Sequence, residues 1–294
     1  MAGLRRYFFS ETPLRERLEE TFRTFPGRTV SLIGQPPLGG SIVAEWDFES
    51  PGSWRWDTCM VSDDLSLDAQ GQMEHIFAQY EARLAAAGLE VARHCVRTWI
   101  FVRDIDRNYA GVVEGRKRSF ARMGLTSETH YIASTGIGGT HRDPRVLVVM
   151  DALAIPDLDA ASLHYLQAPE NLCPTIHYGV TFERGVGFDY GGLRYSLISG
   201  TASIDKHGDV LYKGDVQHQT LRVIENIRAL LADDWADLGQ IATALVYLRN
   251  PEDATAVRTV LDRELPCLDY LLLHAAVCRP DWLVEIECIA VRKA

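Results

Sequence analysis

The stretch Cys278-Arg-Pro-Asp-Trp-Leu-Val-Glu-Ile-Glu-Cys-Ile-Ala-Val291 ends the chain in an apolar strand that carries two acids. Side chains on a strand alternate between its two faces. Leu283, Glu285, Glu287 and Ile289 therefore share one face, and Val284, Ile286, Cys288 and Ala290 share the other. Glu287 is set among apolar neighbours, with the cation Arg279 eight positions upstream. A carboxyl group in such surroundings has a raised pKa and can hold or deliver a proton near neutrality. The plainer alternative is a glutamate on an edge strand, facing water.

Working outward from this strand, the chain reads as a degenerate internal repeat. Val30-Ser-Leu-Ile-Gly-Gln-Pro36 parallels Tyr195-Ser-Leu-Ile-Ser-Gly-Thr201, each a short apolar strand running into a glycine-containing turn. The helical pattern from Met73 to Ala87, with Ile76, Tyr80 and Leu84 on one face, parallels His218 to Ala232, with Leu221, Ile224, Ile227 and Leu231. Strand Thr98–Ile105 parallels Ala244–Asn250, and helix Tyr109–Met123 parallels Glu252–Leu265. Closing strands Arg145–Ala154 and Leu283–Val291 complete the two halves, with Asp151 at the position matching Glu287. The first half carries additional residues around Glu49–Trp56, and the Asp- and Pro-rich connection from Pro156 to Pro174 marks the boundary. The spans 1–160 and 161–294 follow as two domains.

The chain has 294 residues, 47% hydrophobic and 24% charged, as in a soluble globular protein. A net charge of −10 argues against nucleic acid or an anionic membrane as the main partner, and leaves room for a small anionic ligand held by local arginines. Six scattered cysteines with no CxxC pair read as reduced thiols in a cytoplasmic protein. The N-terminus turns charged too soon for a signal peptide, and no apolar run reaches membrane-span length. The nine histidines show neither HxxxH nor HExxH spacing, so no metal is expected. Gly136-Ile-Gly-Gly139 lacks the dinucleotide fingerprint, and no organic cofactor is expected.

From about Tyr190 to Val291 the chain resembles the RidA/YjgF family. The likeness lies in Ile198-Ser-Gly-Thr201, in the helix Gln219–Ile227, and in Cys278-Arg279 followed by Glu285-Ile-Glu-Cys-Ile-Ala-Val291. Arg97-Thr-Trp99, Ile105, Tyr109, Gly115-Arg116 and Phe120 extend it to the tandem chorismatase branch, as do Ser199–Ile204, Gly214-Asp215 and Gln219. Ile100-Phe101 stands where that branch usually has Asn-Tyr, and the spacer between Arg279 and the closing strand is short. The resemblance implies an α+β protein of two tandem RidA-like domains, each a mixed sheet with two helices packed on one face. It also implies a site in the second half that uses the closing-strand glutamate, and a homo-oligomer, with a trimer favoured.

A neutral glutamate can protonate an electron-rich carbon–carbon double bond beside a carboxylate that an arginine grips with two parallel hydrogen bonds. Water then attacks the resulting cationic carbon. With an enolpyruvyl ether such as chorismate, pyruvate leaves; with a 2-imino or 2-enamino acid, ammonia leaves. The expected catalyst is Glu287. The expected substrate contacts are Arg279, Arg194, Arg184, Cys278, Ser199, Gly200, Thr201 and Tyr190, with Arg116 a further cationic anchor. The first half is expected to be scaffold. Three functions stay open: a chorismatase-like enzyme, an enamine/imine deaminase, and a ligand-binding protein that has lost its chemistry.

Overall fold

Two sheets with one strand order frame the molecule. The computed structural model describes residues 2–10 and 28–294. The charged stretch from residue 11 to 20, part of the reading against a signal peptide, lies outside the described residues. Among the described residues, no helix is long and apolar enough to cross a membrane.

The first sheet runs β4 (Arg55–Met60), β7 (Val148–Ala154), β5 (Cys95–Val102), β6 (Ala133–Gly138). The second runs β10 (Leu193–Ala202), β13 (Val284–Lys293), β11 (Ile241–Leu248), β12 (Tyr270–His274) in the same order. It is extended beyond β10 by β9 (Gly185–Tyr190) and β8 (His164–Tyr165). In both sheets the first two pairs in this order are antiparallel and the last, β5–β6 or β11–β12, is parallel. Trp99 faces Asp151 across one inner pair and Leu245 faces Glu287 across the other, so these two acids occupy equivalent positions.

One expected correspondence changes. Val30–Pro36 does not take the place of β10. It contributes β2 (Thr29–Ile33) to a separate three-stranded sheet with β1 (Ala2–Phe9) and β3 (Val43–Ser50). The strand equivalent to β10 is β4, which pairs antiparallel with β7 as β10 does with β13. An apolar run ending at glycine specifies a strand but not its partner. Of the stretch around Glu49–Trp56, Glu49 and Ser50 end β3 of this small sheet and Arg55 and Trp56 begin β4.

Two helices cover one face of each large sheet: α1 (Ala69–Ala85) and α2 (Ile105–Arg122) on the first, α3 (Val216–Asp233) and α4 (Ala254–Glu264) on the second. Asp68 and Asp215 cap α1 and α3 by accepting the amide hydrogens of Gly71 and His218. Helices α1 and α2 meet closely at Gly115, where a Cβ would lie 2.6 Å from the Gln70 carbonyl oxygen. Alternation then divides the strands. Ile100, Val102, Val148, Met150 and Ala152 pack with the helical residues Ile76, Phe77, Leu84 and Phe120. Trp99, Phe101, Ile137, Val149 and Leu153 turn the other way and join the core of the second half.

Asp151 on this inner face is fully buried. It accepts hydrogen bonds from Arg6 Nε and Nη2 (3.1 and 2.8 Å), Ser31 Oγ (2.6 Å) and the Cys59 amide (2.8 Å). Its cation therefore comes from β1, not from a residue just ahead of its own strand. Removing one member of a buried pair leaves the other charge uncompensated, at about 3–5 kcal/mol. Asp151→Ala should lower unfolding free energy by about that amount in guanidinium titrations; a loss below about 1 kcal/mol would show that Arg6 finds another partner.

Candidate active site

Strand β13 turns Glu285 and Glu287 toward residues of the first half, while Val284, Ile286 and Cys288 alternate to the other face of the strand within the apolar core. Both glutamates are buried, each with 4% exposure. Their surroundings differ. Glu287 Oε2 accepts from Arg97 Nη2 (2.5 Å) and Thr135 Oγ1 (2.5 Å), and its Oε1 accepts from the Tyr247 hydroxyl (2.6 Å). Arg97 also donates to Thr135 Oγ1 (2.6 Å) and Ser199 Oγ (2.7 Å). The expected partnership of Glu287 with Arg279 is thus replaced by one with Arg97, supplied by β5 of the first half.

Glu285 lines a cavity between the halves, with about 510 Å³ of unfilled space including its mouth. From the first half come Tyr109, Arg116, Ser134 and Gly136; from the second come Arg184, Gly200, Cys278, Arg279 and Trp282. Among the described residues, three guanidinium groups thus share the cavity with one carboxyl group. Burial, and next the neighbouring Glu287, push the Glu285 carboxyl up to about 8, against the pull of Arg97 and Arg184. Near neutrality Glu285 therefore carries a proton, and the cavity presents three cations and one neutral acid. This is an environment for a substrate with more than one negative charge.

Several local devices hold these groups. β10 departs from regular pairing between Ile198 and Thr201, opposite the acids of β13. At this bulge the Gly200 amide donates to Thr135 Oγ1 (2.9 Å). A Cβ at Gly200 would lie 2.1 Å from Glu285 Oε1, so the carboxyl group fits only because this residue is glycine. Gln219 on α3 donates to the Asp281 carbonyl (2.9 Å) and accepts from the Leu283 amide (2.9 Å), fixing the short spacer ahead of β13. Arg249 pairs with Asp106 at the start of α2 (2.9 Å) and donates to the Val277 and Arg279 carbonyls, tying the same loop to the first half. The Arg279 guanidinium stacks 4.9 Å from the Trp282 ring centroid. Arg116 donates to Thr181 Oγ1 (3.3 Å), and Arg184 to the Cys173 carbonyl (2.9 Å). Burial, and then Glu285, push the Cys278 thiol up to about 12, so it is neutral at physiological pH.

The residues expected to form the site separate into two groups. Arg279, Arg184, Cys278 and Gly200 line the cavity with Arg116. Arg194 does not: its guanidinium is held by the buried Asp234, which also accepts from Ser196 Oγ (both 2.5 Å). Tyr190 does not either; its hydroxyl bonds Ser53 and Asp157, and its ring packs edge-on against Trp54. Ser199 spends its hydroxyl on structure, accepting from Arg97 and the Ser134 amide (3.0 Å) and donating to the Glu183 carbonyl (2.6 Å). Thr201 Oγ1 donates back to the Ser199 carbonyl (2.8 Å). Glu285 and the first-half contributors Arg97, Tyr109, Ser134 and Thr135 were not among the expected site residues. The shared face of Glu285 and Glu287 was already visible in the alternation, and Arg97 and Tyr109 were visible as motif residues.

A family model described as endoribonuclease L-PSP matches residues 193–292. A RutC family protein of Pyrococcus abyssi is 31% identical over 101 residues, 34% of this chain and 80% of that one. The chain belongs to the RidA/YjgF superfamily. Beyond the second half, a 3-hydroxybenzoate synthase of Streptomyces hygroscopicus is 28% identical over 222 residues. That match takes in 66% of this chain and 63% of the Streptomyces protein, so it spans a little under two-thirds of that relative's length. A crystal structure of a chorismatase superposes with a TM-score of 0.71 at 18% identity, over 98% of this chain and 93% of the other. The fold is that of the tandem, chorismatase-like branch of the superfamily, two RidA-like domains in one chain.

The raised affinity of Glu285 for its proton has a consequence for stability. Between about pH 4.5 and 8 the folded chain binds a proton there that the unfolded chain releases, so this group's contribution to stability falls as pH rises across that window. Glu285→Gln removes the cost of holding an anion there. Relative to the natural chain it should gain on the order of a few kcal/mol between pH 5 and pH 9, read from thermal melts at both pH values. An equal change at both would place the Glu285 proton elsewhere.

Proposed function

We propose that this chain is a chorismatase-like enzyme that cleaves the enolpyruvyl ether of chorismate or a closely related cyclohexadiene carboxylate and releases pyruvate. The observation that carries this reading is a protonated carboxyl group, Glu285, in a cavity that also holds Arg116, Arg184 and Arg279. Similarity to a chorismatase and to a 3-hydroxybenzoate synthase supports the choice of substrate. The proposed proton donor moves from Glu287 to Glu285.

In this reading the arginines grip the two carboxylates of the substrate, and bidentate geometry sets the double bond against Glu285. The Glu285 carboxyl proton passes to the terminal methylene carbon, leaving an oxocarbenium ion and a Glu285 carboxylate. Water adds to the cationic carbon, giving up a proton to that carboxylate. The resulting hemiketal collapses by breaking its bond to the ring oxygen, which takes up the hydroxyl proton as pyruvate departs. Atoms balance with one water consumed and Glu285 restored. The neutral hydroxyl of Tyr109, which burial keeps protonated, is a further donor within the cavity. The deaminase reading is less favoured, because similarity to the 3-hydroxybenzoate synthase extends beyond the second half, and the first half furnishes Tyr109, Arg116, Ser134 and Gly136 to the cavity.

Incubation with chorismate should release pyruvate, followed by coupled reduction to lactate. Glu285→Gln should lower kcat by about 100-fold or more. Arg279→Met should act mainly on KM, raising it by about tenfold or more, as expected for a lost charged hydrogen bond. Ammonia release from freshly generated 2-iminopropionate without any pyruvate from chorismate would overturn this reading in favour of the deaminase.

A further inference from the structure

Arg184 lines two cavities: the one that holds Glu285, and a second that the proposed reaction leaves unused. The second has about 660 Å³ of unfilled space including its mouth. Both halves build it. Ser127 and Tyr131 come from the connection between α2 and β6, and the rest of the wall comes from the segment that joins β8 to β9. Tyr131, Leu166, Ala168, Leu172 and Cys173 are all buried and form an apolar floor. Ser127 and Ile176 are exposed and stand at the mouth. Three polar side chains knit the wall together. Thr175 Oγ1 donates to the Phe182 carbonyl (2.8 Å), Glu183 Oε1 accepts from the Tyr131 amide (2.7 Å), and Arg184 Nη2 donates to the Cys173 carbonyl (2.9 Å).

We propose that this second cavity is a binding subsite for a ring compound bearing one carboxylate, which pairs with Arg184 and packs its ring on the apolar floor. The number of cations sorts the two cavities. The one with Glu285 has three guanidinium groups, enough for two carboxylates. Among the described residues, the second has Arg184 alone, and a second carboxylate there would meet the Glu183 carboxyl group. Size and polarity agree with a ring. Apolar cavities of about 150 Å³ hold a benzene molecule, and here Tyr131, Leu166 and Leu172 offer a ring its apolar surfaces. A guanidinium is planar and presents donors along several edges, so Arg184, set in the wall common to both cavities, can serve a carboxylate in either. The identity of the natural ligand rests on the proposed function. Loss of pyruvate removes one of the two carboxylates of the substrate and leaves a ring with one, which is the class of ligand that the second cavity fits. Substrate and ring product then compete for Arg184.

Benzoate is the probe, titrated calorimetrically into the substrate-free full chain. It should bind the natural protein. Ala168→Leu fills the floor of the second cavity, and Arg184→Gln removes its cation; each should weaken benzoate by about tenfold or more. Arg279→Met alters only the cavity with Glu285 and should leave benzoate binding unchanged. Loss of binding in Arg279→Met would place benzoate beside Glu285 and overturn the proposal, as would full affinity in Ala168→Leu or an absence of binding to the natural chain at millimolar benzoate. Should a variant fail to fold, a crystal structure of the natural chain with benzoate decides: the carboxylate belongs on Arg184 with the ring against Tyr131 and Leu172, and density confined to the cavity with Glu285 would overturn the proposal. None of these measurements needs turnover, so a failure to release pyruvate from chorismate would sink the proposed function and leave the subsite standing.

Discussion

The ion pair between Arg97 and Glu287 is the constraint around which the junction of the two halves is organised. Both groups are buried, at 2% and 4% exposure, and 190 positions separate them in sequence. Taking two charges out of water is costly unless geometry and additional hydrogen bonds satisfy them. Here every added bond crosses or borders the junction. Thr135 joins the pair from β6, Ser199 from the β10 bulge and Tyr247 from β11. The first-half sheet is consequently held in register against the second, and the cavity lined by Glu285 takes its walls from both.

Duplication explains why the first half contains a related but altered arrangement. Asp151 occupies the position of Glu287, buried and ion-paired, but its cation is Arg6 of the added small sheet. The Arg6 and Arg97 guanidinium groups lie 4.9 and 5.1 Å from the centroid of the same Trp99 ring. Two buried pairs, one within the first half and one joining the halves, thus meet at one indole in the core between the sheets.

Much of this could be read before any coordinates. Period-two alternation gave the correct face for the acids of the closing strand, and the repeat identified four equivalent elements in each half. What alternation could not decide was which of two acids on one face meets the cavity. Glu285 and Glu287 obey the same periodicity, and their environments differ only through residues of other elements: Gly200 beside one, Arg97 and Thr135 beside the other. Nearness in sequence misled for the same reason. Arg279 is close to Glu287 along the chain, yet the loop it occupies is turned by Gln219 and Arg249 toward Glu285. Arg194 and Tyr190 were plausible wall residues by proximity to the β10 turn, but Asp234 and Trp54 claim them in the folded chain.

Chemically, the cavity joins two requirements that usually conflict. A polyanionic substrate calls for several guanidinium groups, and those same groups would strip the proton from any nearby acid. On the proposed reading, burial of Glu285 next to a second carboxyl group reconciles the two, and one strand would serve both binding and proton delivery. The most direct test is a crystal structure of the natural chain with an unreactive saturated analogue of chorismate. The account predicts the side-chain carbon that replaces the methylene to lie within about 3.5 Å of a Glu285 oxygen, with the analogue's carboxylates on the arginines of the inter-half cavity. Density for the analogue elsewhere, or a Glu285 carboxyl group turned away from it, would contradict the account.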